Sequence, residues 1–201
     1  LRAEVAGTVV VAAEHLVADG GLPRGVVVTR RGSGWRRVGD EEGELDCLIL
    51  LGTVMGHTGE PRQGLAFLHQ ALDMRRRLGP EPYGEGAILN NMAVAYGYLG
   101  DYAEAVKKYE EALPFAEQSG DPIAAASVRR NRATNLSYIT RSDQAREELE
   151  QVKAKFHELG IPNEEGMAEY VIGNTYRHAR EYREAVVHYQ SALALLDRAG
   201  N

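Results

Sequence analysis

The stretch LNNMAVAYGYLGDYAEAVKKYEEAL, from Leu89 to Leu113, decides the fold. Apolar residues recur in it at the three- and four-residue spacing of a helix, on both sides of Gly100 and Asp101. Glycine readily takes the left-handed conformation that ends many helices, and an aspartate after it can cap the next helix by accepting from free amides. The stretch therefore predicts two antiparallel helices joined by a short turn.

The same helix hairpin recurs along the chain with a period of 40 or 41 residues. A glycine closes each unit, and a small residue takes the same place on each first helix. The closing glycines are Gly39, Gly79, Gly120, Gly160 and Gly200, and the small sites are Ala12, Gly52, Ala93, Ala133 and Gly173. Such repeats are typical of a solenoid, whose units bury their apolar faces against their neighbours. We therefore expect one elongated domain with units at about 1–40, 41–80, 81–120, 121–160 and 161–201.

The composition argues against several classes of function. The net charge of −6 is unlike the basic surface that nucleic-acid binding requires, so we expect no direct contact with nucleic acid. No apolar run approaches the roughly 18 residues of a membrane span, and we expect no membrane attachment. The single cysteine, Cys47, cannot form an internal disulfide and fits a reducing compartment, so we expect a cytoplasmic protein with an inert, buried thiol.

The sequence carries no motif for catalysis, metal binding or nucleotide binding. It lacks HExxH, CxxC, the P-loop pattern and GxSxG, and its histidines show no metal-ligand spacing. We therefore predict a protein that is not an enzyme, with no catalytic residue, no metal site and no cofactor.

The stretch 89–113 closely resembles the tetratricopeptide repeat. In that family two small residues, here Ala93 and Ala105, let paired helices approach, and an aromatic residue, here Tyr109, lies between repeats. The resemblance implies an all-α fold, a right-handed α-solenoid of five helix-turn-helix hairpins. Its repeats are longer than the usual ~34 residues and resemble the long-repeat branch of the family.

The resemblance varies along the chain. It is strong for residues 81–201 and moderate for 41–80. For 1–40 it depends mainly on spacing, because Arg24 and Arg31 stand where alanines are expected. We nevertheless expect that first unit to form a degenerate helix hairpin.

The resemblance also implies where a ligand binds, because first helices line the concave face in this family. The residues implied to face that groove are Asn90, Asn91, Arg130, Asn131, Thr134, Tyr170, Asn174 and Arg177. Asn91 and Asn131 occupy equivalent places, and an amide can both donate to and accept from a peptide backbone. Arg130 and Arg177 can bind a carboxylate in bidentate fashion. Alternatively, these residues form a solvated helix face on which asparagines tie neighbouring helices together.

The long repeats and the excess of arginine over lysine resemble the C-terminal repeat region of large actinobacterial transcription regulators and related signal-transduction ATPases. That resemblance implies a non-catalytic sensor or scaffold domain of a bacterial transcription regulator, which binds a protein or an extended peptide. Two alternatives remain open: a receptor for a small signalling peptide, and an accessory interaction domain of a larger enzyme.

Both ends of the chain look cut, so we expect a fragment of a larger protein. Leu193, Leu195 and Leu196 near the C-terminus would need a further helix to cover them. Because solenoids need polar caps at their ends, this uncapped helix is also a candidate surface for self-association.

Overall fold

The computed structural model describes residues 2–5, 8–11, 29–31, 34–36, 41–79, 82–139 and 141–200. Successive helices after residue 40 lie against each other, so they form four helix hairpins in the described part of the chain. These helices are α1 (Glu41–His57), α2 (Pro61–Leu78), α3 (Pro82–Leu99), α4 (Tyr102–Gln118), α5 (Pro122–Tyr138), α6 (Ser142–Glu158), α7 (Pro162–His178) and α8 (Tyr182–Arg198). The helical solenoid predicted for this region is confirmed, while its right-handed sense stays a prediction.

The helix hairpin predicted for residues 1–40 is wrong for the described residues of that segment. They form two separate antiparallel pairs of strands, β1 (Arg2–Val5) with β2 (Thr8–Val11) and β3 (Thr29–Arg31) with β4 (Gly34–Arg36). The small site Ala12 and the closing Gly39 lie outside the described residues.

Local composition explains these strands. Residues 8–11 are all β-branched, and such side chains favour the extended backbone over the helix. Each strand pair is separated by two residues that include a glycine, Gly7 or Gly32, which is the usual composition of a tight β-hairpin link. The 40-residue spacing alone was therefore not enough to predict the structure of this segment.

Small residues allow the two helices of each hairpin to approach closely. Ala93 of α3 and Ala105 of α4 are fully buried, as the resemblance implied. Between α1 and α2, glycines take this role: a Cβ at Gly52 would lie 2.5 Å from Cγ of Leu68, and one at Gly64 would lie 2.6 Å from the carbonyl oxygen of Gly52. A larger side chain at either glycine would force the two helices apart.

The apolar stripes of the helices form a core that runs along the stack. Its largest cluster joins α1 to α4 and reaches Val128 of α5, and two smaller clusters continue it to α7. Tyr109 belongs to the largest cluster and is only 2 % exposed, which confirms its predicted buried position.

The turns between helices have the predicted cap geometry. Gly100 follows α3 with a φ of +80°, and the side chain of Asp101 accepts a hydrogen bond from the backbone nitrogen of Glu104 at 3.3 Å. The closing glycines Gly120 and Gly160 have φ values of +73° and +67°. These left-handed conformations end the helices and fix the angle at which the next one begins.

The outer face of α8 is partly apolar. Val186, Val187 and Leu193 are all more than half exposed. Of the three leucines predicted to need a covering helix, Leu193 is exposed, whereas Leu195 and Leu196 lie against Gly166 of α7. Self-association on this helix stays a prediction.

Candidate functional site

One face of the helical stack is formed by the first helices of the hairpins, α1, α3, α5 and α7. Each of these helices contacts the next, so their side chains form one continuous surface, here called the first-helix face. All eight residues predicted to bind a ligand lie on α3, α5 or α7.

Asn91 and Asn131 occupy equivalent positions but have different neighbours. The Nδ2 of Asn91 donates to Oγ1 of Thr53 at 3.0 Å and ties α3 to α1. One repeat later, the residue equivalent to Thr53 is Val94, whose side chain has no acceptor. The side-chain amide of Asn131 makes no hydrogen bond to the described part of the chain.

Three further predicted residues are held by the chain itself. Arg130 hydrogen-bonds to the carboxylate of Glu164 and so links α5 to α7. Thr134 donates to the carbonyl of Arg130 at 2.9 Å, and Asn174 accepts from the hydroxyl of Tyr189 at 2.9 Å. The contacts of Arg130 and Asn174 join neighbouring helices, as the alternative interpretation expected, whereas the Thr134 contact lies within α5.

The last three predicted residues do not converge on one point. Asn90 and Asn131 line a cavity of about 230 Å³ between α3, α4 and α5. The ring of Tyr170 lies 5.7 Å from the ring of Tyr189. Arg177 is exposed at the end of α7, where its Nη2 lies 2.9 Å from the adjacent imidazole.

A second cavity, of about 450 Å³, opens among α1, α3, α4 and α5. We call it the aromatic cavity because tyrosines supply much of its lining. Two of the predicted residues line it together with four tyrosines: Tyr98, Tyr102, Tyr109, Asn131, Thr134 and Tyr138. Polar and aromatic groups thus meet where the predicted groove crosses from α3 to α5.

The aromatic cavity lies within a row of rings that runs across the ends of the first helices. His57, Tyr98, Tyr138 and His178 occupy one equivalent position, spaced by 41, 40 and 40 residues. The His57 and Tyr98 rings are 5.3 Å apart, and the Tyr138 and His178 rings are 4.5 Å apart. Among the described ring contacts none joins Tyr98 to Tyr138; instead Tyr102 stacks on Tyr138 at 4.4 Å. Tyr98 and Tyr138 both line the aromatic cavity.

The hydroxyl of Tyr109 is a neutral polar group at this cavity. Burial raises the pKa of Tyr109 well above its ordinary value, and Tyr98 adds to the rise while Arg130 opposes it. The hydroxyl forms no hydrogen bond within the described residues, although the residue lines the cavity. It can therefore both donate to and accept from a ligand.

Cys47 does not contribute to this site. It is buried in α1, and burial, with smaller effects of Asp46 and Glu44, raises the pKa of its thiol to about 11. The thiol therefore stays protonated at neutral pH, and the predicted burial of this residue is confirmed.

The described part of the chain contains no group of three or more His, Cys, Asp or Glu side chains arranged to hold a metal ion. No helix there has both the length and the apolar character needed to cross a membrane.

Comparison with known families identifies the fold. A family model of the tetratricopeptide repeat matches residues 44–118 and 84–156, which together exceed half of the chain. The chain belongs to the tetratricopeptide repeat family. No curated protein sequence matches it significantly.

Solved structures share this tetratricopeptide repeat fold at low sequence identity. BtubC (BKLC) from P. vanneervenii is 20 % identical with a TM-score of 0.69, over 83 % of this chain and 67 % of that chain. A Rap protein complexed with Competence and Sporulation Factor is 19 % identical with a TM-score of 0.67, over 79 % and 44 %. A signal-transduction ATPase with a tetratricopeptide repeat sensor, from Pyrococcus horikoshii, is 18 % identical with a TM-score of 0.62, over 79 % and 26 %.

The aromatic row of this tetratricopeptide repeat domain was not among the predicted site residues. Its signal was present in the sequence, because the four ring positions follow the same spacing as the closing glycines. Two pairs of the predicted residues meet at a cavity: Asn90 with Asn131 at the smaller one, and Asn131 with Thr134 at the aromatic cavity.

Proposed function

We propose that this tetratricopeptide repeat domain binds a protein or an extended peptide on its first-helix face and catalyses no reaction. The observation that supports this most directly is the aromatic cavity, where the Asn131 amide and the Tyr109 hydroxyl have no hydrogen-bond partner in the described residues. Polar groups that open to a cavity can exchange hydrogen bonds to water for hydrogen bonds to a ligand. A peptide backbone offers a donor and an acceptor at nearly every residue.

The proposed site is centred on the middle of the first-helix face. Asn90, Asn131 and Thr134 contact the ligand at the two cavities there. Asn91, Arg130 and Asn174 position the surrounding elements through Thr53, Glu164 and Tyr189 and contact the ligand at its edges. Tyr170 and Arg177 extend the surface along α7.

The wider role that we propose is that of a sensor or scaffold region in a bacterial, cytoplasmic transcription regulator, with residues 1–201 as one part of a longer protein. The shared fold with an ATPase that carries a tetratricopeptide repeat sensor supports this proposal. In such a role, ligand occupancy on the first-helix face would be passed on to neighbouring domains as signal transduction.

A receptor for a small signalling peptide is the second candidate. The size of the aromatic cavity, about 450 Å³, favours it, because that volume holds only a few side chains. The shared fold with a Rap protein that is complexed with Competence and Sporulation Factor is consistent with this candidate.

Selection from a library of displayed random 15-residue peptides tests the proposed function. Peptides enriched on the intact chain are synthesised, and their affinity is measured by calorimetry for the wild type and for Asn131→Ala combined with Tyr98→Ala. We expect about tenfold weaker binding or more, because a hydrogen bond and an aromatic contact are lost together. Lys107→Ala is the matched control, because Lys107 is exposed on the second helix α4. If no peptide is enriched, or if the control weakens binding as much as the double variant does, the proposed function is wrong.

Truncation of an enriched peptide separates the two candidates. A receptor for a small peptide keeps its full affinity when the peptide is cut to the few residues that fill the aromatic cavity. A protein-binding surface loses affinity with each truncation, because an extended chain covers about 3.3 Å per residue and the contacts are spread along α3, α5 and α7.

A further inference from the structure

We propose that the cavity of about 230 Å³ between α3, α4 and α5 binds the side chain of a phenylalanine residue in the partner. We call it the apolar cavity because apolar residues supply most of its lining. This inference builds on the proposed function of the first-helix face and specifies one side chain that is recognised there.

The deepest part of the apolar cavity is formed by the core of the domain. Ala112 of α4 and Val128 of α5 line it, are 1 % and 8 % exposed, and belong to the largest core cluster. Phe115 of α4 is partly buried, packs against the same cluster and also lines the cavity. A side chain that enters the cavity therefore meets core residues and extends an existing apolar cluster.

Small residues keep the cavity open toward the surface. Three partly exposed alanines line it: Ala87, Ala116 and Ala124. Gly86 lies beside them, and a Cβ at this position would lie 2.5 Å from Cβ of Phe115, so the glycine lets α4 approach α3. The cavity is thus bounded by partly exposed residues on one side and by buried ones on the other.

The lining favours a neutral, apolar group. No Asp, Glu, Lys, Arg or His is among the described residues that line the cavity. A charged side chain would lose its hydration there without gaining an ion-pair partner, and this loss costs free energy. An apolar side chain gains free energy when the same surfaces are removed from water.

The volume of the cavity suits the side chain of phenylalanine. An apolar protein cavity of about 150 Å³ holds a benzene molecule, so 230 Å³ has room for the ring and its methylene group. A methyl group would leave most of this space empty and make few dispersion contacts. The ring of Phe115 offers an aromatic contact in addition, which favours phenylalanine over an aliphatic side chain.

Two side-chain amides at the cavity can hold the backbone of the same residue. Asn90 and Asn131 line the cavity, are partly exposed and form no side-chain hydrogen bond within the described residues. Each amide can donate to a backbone carbonyl and accept from a backbone N–H. Recognition of the ring and the backbone together distinguishes a peptide from a free apolar molecule.

Three peptides that differ in one side chain test the inference. They are acetyl-Ala-Phe-Ala-amide and its counterparts with leucine or alanine in the middle. Binding to the intact chain is followed by NMR through the methyl resonances of isotope-labelled alanine, because alanines line the cavity on several sides. We expect the phenylalanine peptide to bind about tenfold more tightly than the alanine peptide, or more, and the leucine peptide to lie between them.

Cavity-filling variants place this preference at the apolar cavity. Ala124→Leu fills it from α5 and Ala87→Leu fills it from α3, so each should reduce the preference for phenylalanine over alanine to about twofold or less. Ala125→Leu is the matched control, because it adds the same side chain one residue further along α5, where Ala125 lines a different cavity. This control should keep the full preference. Circular dichroism melting confirms that each variant is folded.

Asn90→Ala tests the backbone contact separately. It should weaken the phenylalanine and alanine peptides alike, by about twofold to tenfold, because a hydrogen bond to the backbone does not depend on the middle side chain. The preference for phenylalanine should stay unchanged in this variant. Unchanged binding of both peptides would overturn the assignment of the Asn90 amide to the backbone.

Equal binding of the phenylalanine and alanine peptides to the wild type would overturn the inference, and so would tighter binding of the leucine peptide. A full preference for phenylalanine in both cavity-filling variants would overturn it as well. Those outcomes leave the proposed function intact if displayed 15-residue peptides still bind and respond to Asn131→Ala with Tyr98→Ala. Conversely, failure to select any displayed peptide counts against the proposed function whatever the tripeptides show.

Discussion

The second half of the helical stack is joined by pairs of charged and polar side chains, whereas the first half contains the aromatic cavity. Between α5 and α8, Arg132 pairs with Glu148 at 2.7 Å and Lys153 pairs with Glu169 at 3.1 Å, and Nδ1 of His188 lies 3.1 Å from the Glu169 carboxylate. Between α1 and α5, rings and amides line an open cavity, and the Asn131 amide and Tyr109 hydroxyl have no partner in the described residues. The proposed binding site lies in the first half, and ion pairs link the helices of the second half.

The two asparagines of the first-helix face show that equivalent polar residues of neighbouring repeats can have different partners within the chain. Asn91 and Asn131 are the same residue at the same repeat position, yet only Asn91 has an acceptor from the preceding repeat, Thr53. At the next repeat Val94 replaces that acceptor. The residue type at one position of a repeat thus decides whether the asparagine of the following repeat has a hydrogen-bond acceptor there.

The largest expected effect concerns the core beneath the aromatic cavity. Tyr109→Ala should lower the free energy of unfolding by about 3–5 kcal/mol, because it removes a fully buried aromatic side chain from the core. Urea denaturation followed by circular dichroism measures the loss. Tyr109→Phe should retain most of the stability and weaken peptide binding, because only the hydroxyl is removed.

Tyr182→Ala on α8 is the control for this change, with an expected effect within about 0.5 kcal/mol, since Tyr182 is exposed. A loss below about 1 kcal/mol for Tyr109→Ala would mean that the first half does not depend on this ring.

The next largest effect tests whether ion pairs support the second half. Glu169 is 6 % exposed and lies between Lys153 and His188. Glu169→Gln should cost about 1–3 kcal/mol at pH 7, because it weakens a buried, hydrogen-bonded charge pair. Glu150→Gln is the matched control, since Glu150 pairs with the same lysine but is half exposed, and it should cost less than about 0.5 kcal/mol.

The pH dependence of that difference gives a second measurement. Burial alone would raise the pKa of Glu169, but Lys153, with help from His188 and Ser191, holds it below its ordinary value of 4.5. The stability that this group contributes is therefore fully present above pH 4.5 and is lost as the pH falls through the lower pKa of the folded state. Chemical denaturation from pH 7 to pH 3 should show the wild-type advantage shrinking, and a constant advantage would contradict the assignment.

A smaller effect distinguishes the two asparagines. Asn91→Ala should cost about 0.5–1.5 kcal/mol of stability, because its hydrogen bond to Thr53 is lost. Asn131→Ala should change stability by less than about 0.5 kcal/mol and should instead weaken peptide binding. Equal stability losses for the two variants, measured by urea denaturation, would remove the distinction between a supporting and a binding asparagine.

Sequence reasoning predicted the helical part of the fold because its determinants are local. Gly100 and Asp101 end one helix and begin the next, and the small residues Ala93 and Ala105 mark where helices cross. The prediction was wrong for the described residues of 1–40, because the β-branched run at 8–11 favours extended backbone whatever the repeat spacing.

The candidate site was only partly predictable, because hydrogen-bond partners come from distant positions in the sequence. Helix packing decides these partners. It brings Arg130 to Glu164 and Asn174 to Tyr189. The aromatic row is different: its spacing could be read directly, but whether adjacent rings touch or leave a cavity depends on the packing of α3 against α5.

The smallest expected effect lies where the aromatic row passes from Tyr138 into the second half, at His178 on α7. Burial, with the nearby charge of Arg177, lowers the pKa of His178 below its ordinary value of 6.5. The unfolded chain therefore takes up a proton at this residue before the folded chain does, so stability is unaffected above pH 6.5 and falls as the pH drops below it. NMR titration of the imidazole should give a pKa below 6.5 that rises in Arg177→Ala. A pKa at or above 6.5 would mean that His178 is solvated and that the row ends at Tyr138, within the first half.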